Sequence, residues 1–388
     1  MKIGIMSYWN TEHNYGQVLQ CFAMQQFLRN LGHEPFHIRY VPGAKPLRRK
    51  LTEFAKIILN GHLYSWFRLK KEGKSAEINA IALRLNACQA ADTLQNPRKF
   101  GEFKERYLNF SPKDYCFETL VDDYPRADAY IAGSDQIWAY PDNGYFLDFG
   151  DKNTLKIAYA PSFGGIEVNN ALTASRYRNL LNNFNVLTVR ESGGIDLCRG
   201  LGFNDVVKVP DPSFLLEAGD YRKITSRLNF PDKDEYILLY LLGNPIDITT
   251  EEIFDWAKKN NIGVKYVTAQ GRTDEFPKIY PNVDEWMGLI DNAKYVITNS
   301  FHGMAMSIIF NKRFMVIPVS GSFSRMNGRI FDTLKHFDLN DRIYKDSFDS
   351  ITSYIDYSRV NSILESDRAT IKKYFKEWLS ASNDKSDD

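Results

Sequence analysis

Four short apolar runs, each stopping abruptly at a polar, turn-forming cluster, constrain this chain more than any other feature. Ala127 to Ala132 stops at Gly133-Ser134-Asp135-Gln136, and Leu155 to Ala160 at Pro161-Ser162-Phe163-Gly164. Val186 to Arg190 stops at Glu191-Ser192, and Val206 to Val209 at Pro210-Asp211-Pro212-Ser213. Runs this short and this apolar read as strands buried on both faces of a parallel sheet. The chain opens the same way. Lys2 to Met6 reads as a strand, and a polar loop runs from Ser7 to Tyr15. Val18, Leu19, Phe22, Ala23, Phe27, Leu28 and Leu31 then recur at helical spacing, with Gly32 placed to end the helix at C′. Phe36 to Tyr40 follows as the next strand, completing a β-loop-α-β unit.

A second alternating set begins near Tyr236. Tyr236 to Leu242, Val264 to Thr268, Lys294 to Thr298 and Phe314 to Pro318 read as strands, Glu251 to Lys259 as a helix, and Met304 to Phe310 opens another. Pro210-Asp211-Pro212 is the natural hinge between two Rossmann-like halves of an α/β protein. The expected domains are 1–210, with a basic helical insertion over about 45–110, and 211–388, with a C-terminal helix over Ala369 to Leu379 and a frayed polar tail from Ser380. A length of 388 residues suits two domains better than one.

The formal net charge of +1 gives no global attraction to nucleic acid. Cys21, Cys88, Cys116 and Cys198 are scattered, with no CxxC pair, which suits a reducing cytoplasm. The opening Met1-Lys2-Ile3-Gly4-Ile5 turns polar by Ser7, unlike a secretory leader, and no run approaches the ~20 apolar residues of a membrane span. Residues 45–74 hold nine Lys/Arg against two Glu, a local charge of +7, interleaved with Tyr64, Trp66, Phe67 and Leu69. Such a segment either lies on an anionic membrane surface or packs its rings on the first domain with its charge solvated.

The most informative stretch is Tyr295 to Met306, where an apolar strand meets an apolar helix through Asn299-Ser300-Phe301-His302-Gly303. The first N–H groups of a helix lack intrahelical partners and attract anions. Ser300 adds a hydroxyl, His302 an imidazole able to act as a general acid near neutral pH, and Gly303 lets a ligand approach the backbone. The competing reading makes Ser300 a helix cap and His302 a satisfied surface ring. Arg190, at the end of its strand, suits a bidentate phosphate or carboxylate contact, or else a salt bridge to Glu191. Among Lys312, Arg313 and Arg325, the last sits in the glycine- and serine-rich loop Gly321-Ser322-Phe323-Ser324 and is the favoured second cation. In the other half, Asn10, Asn14, Tyr15 and Gly16 share the first β-to-α loop. Asp135 can accept a proton from a sugar hydroxyl or cap a helix, with Gln136 beside it. Trp138 can stack on a sugar or fill the core. Aromatics reach 14% of the chain, and the larger share is expected in the core. No GxxxxGK[ST], early GxGxxG, HExxH or GxSxG is present, and Asp232-Lys233-Asp234 reads as a solvated turn, so no metal is expected.

Together these pieces resemble the polysaccharide pyruvyl transferase family. The resemblance runs through Asn14-Tyr15-Gly16 with Leu19-Gln20, Gly133-Ser134-Asp135-Gln136-Ile137-Trp138, Tyr159-Ala160-Pro161-Ser162-Phe163-Gly164, Val189-Arg190-Glu191, Asp211-Pro212-Ser213 and Ser300-Phe301-His302-Gly303. It implies a GT-B-like pair of Rossmann-like domains, an acceptor side in 1–210 and a donor side in 211–388. It further implies phosphoenolpyruvate as donor substrate, with no bound cofactor, and a sugar or lipid-linked oligosaccharide diol as acceptor, giving a pyruvate ketal. The resemblance places His302 and Arg190 at phosphoenolpyruvate. That chemistry makes His302 the expected general acid and Asp135 the expected base, with Ser300, Phe301, Gly303 and Arg325 also expected at the donor and Asn14, Tyr15, Gln136 and Trp138 at the acceptor. Some members carry an arginine two places before the histidine, where this chain has Ser300. The implied location is the cytoplasm, with peripheral contact at the inner membrane surface through 45–74. Two other readings stand beside it: a GT-B-like glycosyltransferase using a nucleotide sugar, and a non-catalytic polysaccharide-assembly protein.

Overall fold

The computed structural model describes residues 1–43, 95–168, 170–228, 230, 234–243, 246–269, 272, 274–321, 324 and 327–380. The basic segment 45–74, most of the expected insertion, Arg325, Asp232, Lys233 and the tail beyond Ser380 therefore lie outside the described residues.

Strands β1 (Lys2–Met6), β2 (Glu34–Tyr40), β3 (Phe110–Tyr115), β4 (Ala129–Ala132), β5 (Leu155–Ala158), β6 (Val186–Val189) and β7 (Val206–Lys208) form one sheet in the order β3-β2-β1-β4-β5-β6-β7. Strands β8 (Tyr236–Tyr240), β9 (Gly263–Val267), β10 (Tyr295–Thr298) and β11 (Arg313–Val316) form a second in the order β11-β10-β8-β9. Every pair in both sheets is parallel. The helices are α1 (Tyr15–Asn30), α2 (Phe100–Tyr107), α3 (Phe117–Asp122), α4 (Ala171–Leu181), α5 (Ser192–Gly200), α6 (Ala218–Thr225), α7 (Thr250–Lys259), α8 (Val283–Asn292), α9 (Phe301–Ile309), α10 (Gly328–His336), α11 (Asp349–Thr352) and α12 (Tyr357–Ser380). This is the expected α/β, GT-B-like pairing of two Rossmann-like units with a C-terminal helix.

The apolar runs behave as their pattern demands. Every residue of β4, β5, β8 and β10 is buried. Helix α1 begins where Asn14 accepts a hydrogen bond from the Gln17 N–H at 3.2 Å. It ends where Gly32 takes φ +84°, with the His33 N–H bonded to the Leu28 carbonyl at 3.1 Å. One strand escaped the sequence reading. β3 carries a proline and two charges at its centre, and Pro112, Lys113 and Asp114 are all exposed. A sheet edge tolerates both proline and polarity, which a central strand does not.

Strand order reverses between β1 and β4 in the first sheet and between β8 and β10 in the second. In open parallel sheets the crevice beyond the carboxyl ends at such a reversal is where ligands bind. α12 is longer than the expected Ala369 to Leu379 and returns to the first half: Phe375 packs on Phe27 and Tyr159, with ring centroids 5.2 and 5.3 Å apart. Arg368 donates to the carbonyls of Phe214 and Leu216 at 2.9 and 2.8 Å. One apolar core runs from Ile3 and Ile131 through Phe214 to Leu238 and Val296, so both sheets share it. No helix among the described residues is long and apolar enough to cross a membrane.

Candidate active site

Asp211 is the hub of the crevice. It precedes the 3-10 turn Pro212–Leu215, and its Oδ1 accepts from the Ser213 N–H and hydroxyl at 3.0 and 2.8 Å. Its Oδ2 accepts from Arg190 Nη1 at 2.9 Å and from the Ser134 hydroxyl at 3.2 Å. Its side chain is wholly buried and that of Arg190 nearly so. Burial pushes the Asp211 carboxyl up, but the facing His302, the Arg190 guanidinium and the Ser213 N–H outweigh it and hold the group well below the ordinary carboxylate range. Burial likewise opposes the Arg190 charge, yet Asp211, Asp135 and Glu191 more than offset it and raise the group above its usual value.

Around this tight pair the remaining charges stand slightly apart. Arg190 Nη2 is 3.6 Å from Asp135, Arg190 Nε 3.7 Å from Glu191, His302 Nε2 3.7 Å from Asp211 Oδ1, and Arg329 Nη1 3.8 Å from Asp135. All four distances exceed a hydrogen bond. Arg190 Nε and Nη2, His302 Nε2, Arg329 Nε and Glu191 Oε2 are buried without a hydrogen-bond partner. The other Glu191 oxygen is fixed by the Ser162 hydroxyl at 2.7 Å and the Phe163 N–H at 3.2 Å. Phe301 lies beneath both guanidiniums, its ring centroid 5.0 Å from Arg190 and 5.7 Å from Arg329.

The histidine turn itself is built by packing. Ser300 caps α9, accepting from the Gly303 N–H at 3.3 Å, and Asn299 ties β10 to the end of β8 through the Leu242 N–H and carbonyl at 2.6 and 3.1 Å. The Ser300 oxygen thus accepts from its own helix, and its O–H remains able to donate. Gly303 is required by the strand behind it, since a Cβ there would lie 2.5 Å from Thr298 Oγ1. His302 is enclosed between Asp211 and α1, where a Cβ on Gly16 would lie 2.0 Å from Nδ1. An alanine in a helix normally gains roughly 0.5–1 kcal/mol over glycine. Gly16→Ala is expected to reverse that sign and cost about 1–3 kcal/mol through overpacking against the ring. Urea unfolding checks this, and a stabilised variant would show that His302 is free to move aside.

The sequence candidates divide accordingly. Arg190, Asp135, Phe301 and His302 come together. Gln136 lines a neighbouring cavity of about 280 Å³ with Ser162, Glu191 and Arg329. A smaller one of about 100 Å³ is lined by Arg190, Asp211, Phe301, Lys208 and His336. His302 lines neither. Two acceptor assignments, Trp138 and Tyr15, are corrected. Trp138 is fully buried, stacked on Phe146 at 4.8 Å, and is a core ring with no face to offer a sugar. Tyr15 is fully buried, stacked on Trp286 at 4.9 Å, and its hydroxyl donates to the Pro281 carbonyl at 2.7 Å. Asn14 is exposed and uses its side chain to cap α1. Lys312 donates to the Asp291 carbonyl at 2.7 Å and Arg313 opens β11, at the opposite end of the sheet from the crevice. The sequence assigns no role to Asp211, Gly16 or Arg329, and to Glu191 only that of a salt-bridge partner of Arg190, from whose Nε it stands 3.7 Å. The aspartate lay in plain view in Pro210-Asp211-Pro212, but proline on both sides reads as a hinge.

Two parallel α/β units meet at their switch points around a buried constellation of arginine, histidine and carboxylate side chains. A family model for polysaccharide pyruvyl transferase matches residues 14–321, and the chain belongs to that family. No curated protein matches it in sequence. Among solved structures it is similar to UDP-GlcNAc 2-epimerase from Methanocaldococcus jannaschii at 10% identity and TM-score 0.44, covering 94% of this chain and 92% of that one. It is also similar to a putative UDP-N-acetylglucosamine 2-epimerase from Listeria monocytogenes at 11% identity and TM-score 0.45, covering 97% of each. For E. coli heptosyltransferase WaaC with ADP the values are 12% and 0.37, covering 95% of this chain and all (100%) of that one.

Proposed function

We propose that the protein transfers pyruvate from phosphoenolpyruvate to two hydroxyls of a sugar, on a polysaccharide or its lipid-linked precursor, forming a pyruvate ketal and releasing phosphate. One observation carries the reading. Arg190 Nε and Nη2 and His302 Nε2 are buried without hydrogen-bond partners around a carboxylate that fixes the arginine. Donors held this way suit a ligand that brings its own anionic oxygens, and phosphoenolpyruvate carries a carboxylate and a phosphate.

The chemistry balances without a metal or redox partner. A proton adds to the methylene carbon of the enol, leaving C2 electron-poor. One sugar oxygen bonds to C2 and loses its proton. The C2–O bond to phosphate breaks, and the second hydroxyl oxygen takes that place and loses its proton. Of the two hydroxyl protons, one ends in the new methyl group and one with phosphate. His302 supplies the first proton, Asp135 receives one from the sugar, and Arg190 neutralises the anion. Gln136 lies on the sugar side. A cytoplasmic location, with 45–74 against an anionic membrane surface, belongs to the same reading.

A thermal shift separates donors. At a hundredfold excess over Kd, a ligand adds about 2.7 kcal/mol of stability. Phosphoenolpyruvate is expected to raise the Tm, and UDP- and GDP-sugars to leave it unchanged. A rise with a nucleotide sugar alone would replace this reading with glycosyl transfer.

A further inference from the structure

Gln20 is a wholly buried polar side chain among the apolar residues of α1, and the crevice chemistry gives it no task. A primary amide so placed costs stability unless its hydrogen bonds are made. Its oxygen accepts from the Ser134 N–H at 2.9 Å, across 114 residues of sequence. Its nitrogen donates to Cys21 Sγ at 3.4 Å. That thiol donates to the Tyr8 carbonyl and touches Ser7, whose hydroxyl meets His37 Nδ1, each at 3.3 Å. Burial pushes the Cys21 thiol up to about 12 and the His37 imidazole down to about 4, so this cluster is uncharged near neutral pH. The amide is thereby fixed with its oxygen toward Ser134. The turn it reaches carries Asp135. Asp135 has φ +66°, a left-handed conformation that a non-glycine residue keeps only where its surroundings hold it. The turn is tied on both sides: Gln20 takes the Ser134 N–H before Asp135, and the Ser162 N–H donates to the Asp135 carbonyl at 2.8 Å. So held, the Asp135 carboxylate stands 3.6 Å from Arg190 and 3.8 Å from Arg329.

We propose that Gln20 is a positioning residue for Asp135: its side-chain oxygen, reaching across from α1, holds the turn after β4 in the conformation that sets the Asp135 carboxylate in the crevice. The ladder between β4 and β1 ends where the Gly133 N–H donates to the Met6 carbonyl at 2.9 Å. Ser134 is the first residue past it, and Gln20 supplies the acceptor that β1 no longer offers. An N–H can only donate, so a side chain without an acceptor at this place leaves it unmatched. Asp211 keeps its own ties to Ser213 and Arg190, so the arginine side of the crevice does not hang on Gln20. The consequence for turnover rests on Asp135 being the base of the proposed function, and the hold on the turn does not.

The full chain is unfolded in urea as wild type, Gln20→Met, Asp135→Gly and the double variant. Methionine keeps the length of the side chain and removes the acceptor, and glycine adopts φ +66° without strain. Gln20→Met is expected to lower the urea midpoint in the wild-type background, and by about half as much or less in the Asp135→Gly background. Equal losses in the two backgrounds overturn the proposal, because Gln20 would then only satisfy a buried N–H. If Gln20→Met alone does not fold, Gln20→Asn, which draws the oxygen back by a methylene, takes its place in the cycle and is judged the same way. Turnover adds a readout that loss of packing does not divide. Gln20→Met is expected to lower kcat for phosphate release from phosphoenolpyruvate about tenfold to a hundredfold, the scale of a misplaced reacting group, and to leave KM for phosphoenolpyruvate unchanged. A raised KM with unchanged kcat overturns the positioning of Asp135. Coupled stabilities without turnover in wild type would sink the assignment of Asp135 as base and leave the hold on the turn standing.

Discussion

Asp211→Asn is expected to cost the folded protein about 3–5 kcal/mol, the range for breaking a buried charge pair by removing one partner. The arrangement leaves the amide no good orientation. Asp211 Oδ1 accepts from the Ser213 N–H and hydroxyl, and Oδ2 from Arg190 and the Ser134 hydroxyl. Whichever way asparagine turns, its NH₂ faces either the Ser213 N–H or the Arg190 guanidinium. Arg190 is then left with carboxylates no nearer than 3.6 Å. The effect depends on pH in a defined direction. The folded-state Asp211 carboxyl titrates below its unfolded value, so its contribution is fully present above the unfolded value of about 4 and is lost as pH falls toward the folded one. Urea unfolding at pH 7 is expected to show the full difference between wild type and Asp211→Asn, and the two are expected to converge as the medium is acidified below pH 4. A difference under about 1 kcal/mol at pH 7 would mean that Arg190 is held adequately by Asp135 and Glu191 alone.

The frame of the protein was legible because its information is local. A strand buried on both faces, such as Tyr236–Tyr240, has to be an uninterrupted apolar run, and a helix start such as Asn14 has to carry a capping side chain. The site was legible only where a charged residue interrupts such a run, as Arg190 does after β6 and His302 after β10. Asp211 was not, since its partners come from positions 134, 190, 213 and 302, and no window of sequence contains them. Arg329 was not, because an arginine on an amphipathic helix ordinarily faces water, and only the second sheet's placement turns it onto Phe301. The error at Trp138 has the opposite cause. A ring just past a strand's carboxyl end reads as lining a cleft. Here Phe146, Phe163 and Phe184 close around it, and the local signal holds no trace of that enclosure.

His302→Ala is expected to lower phosphate release from phosphoenolpyruvate about 10²–10⁴-fold, the usual range for a lost general acid. The assay uses simple glycosides bearing free 4,6- or 3,4-diols as acceptors. Lost activity alone is ambiguous, because His302 is also packing: it fills the space between Gly16 and Asp211. The packing part has its own signature. A methyl group at position 16 has no room beside the imidazole, but it has room once the imidazole is gone. Gly16→Ala and His302→Ala are therefore expected to be strongly non-additive in stability, the double variant unfolding with less loss than the two single losses combined. Activity is expected to behave differently. If His302 supplies the proton, filling part of the space with the methyl group that Gly16→Ala adds recovers part of the stability and leaves turnover as low as in His302→Ala. If turnover instead recovers along with stability, the histidine is a packing residue, and the proton must come from another group in the crevice.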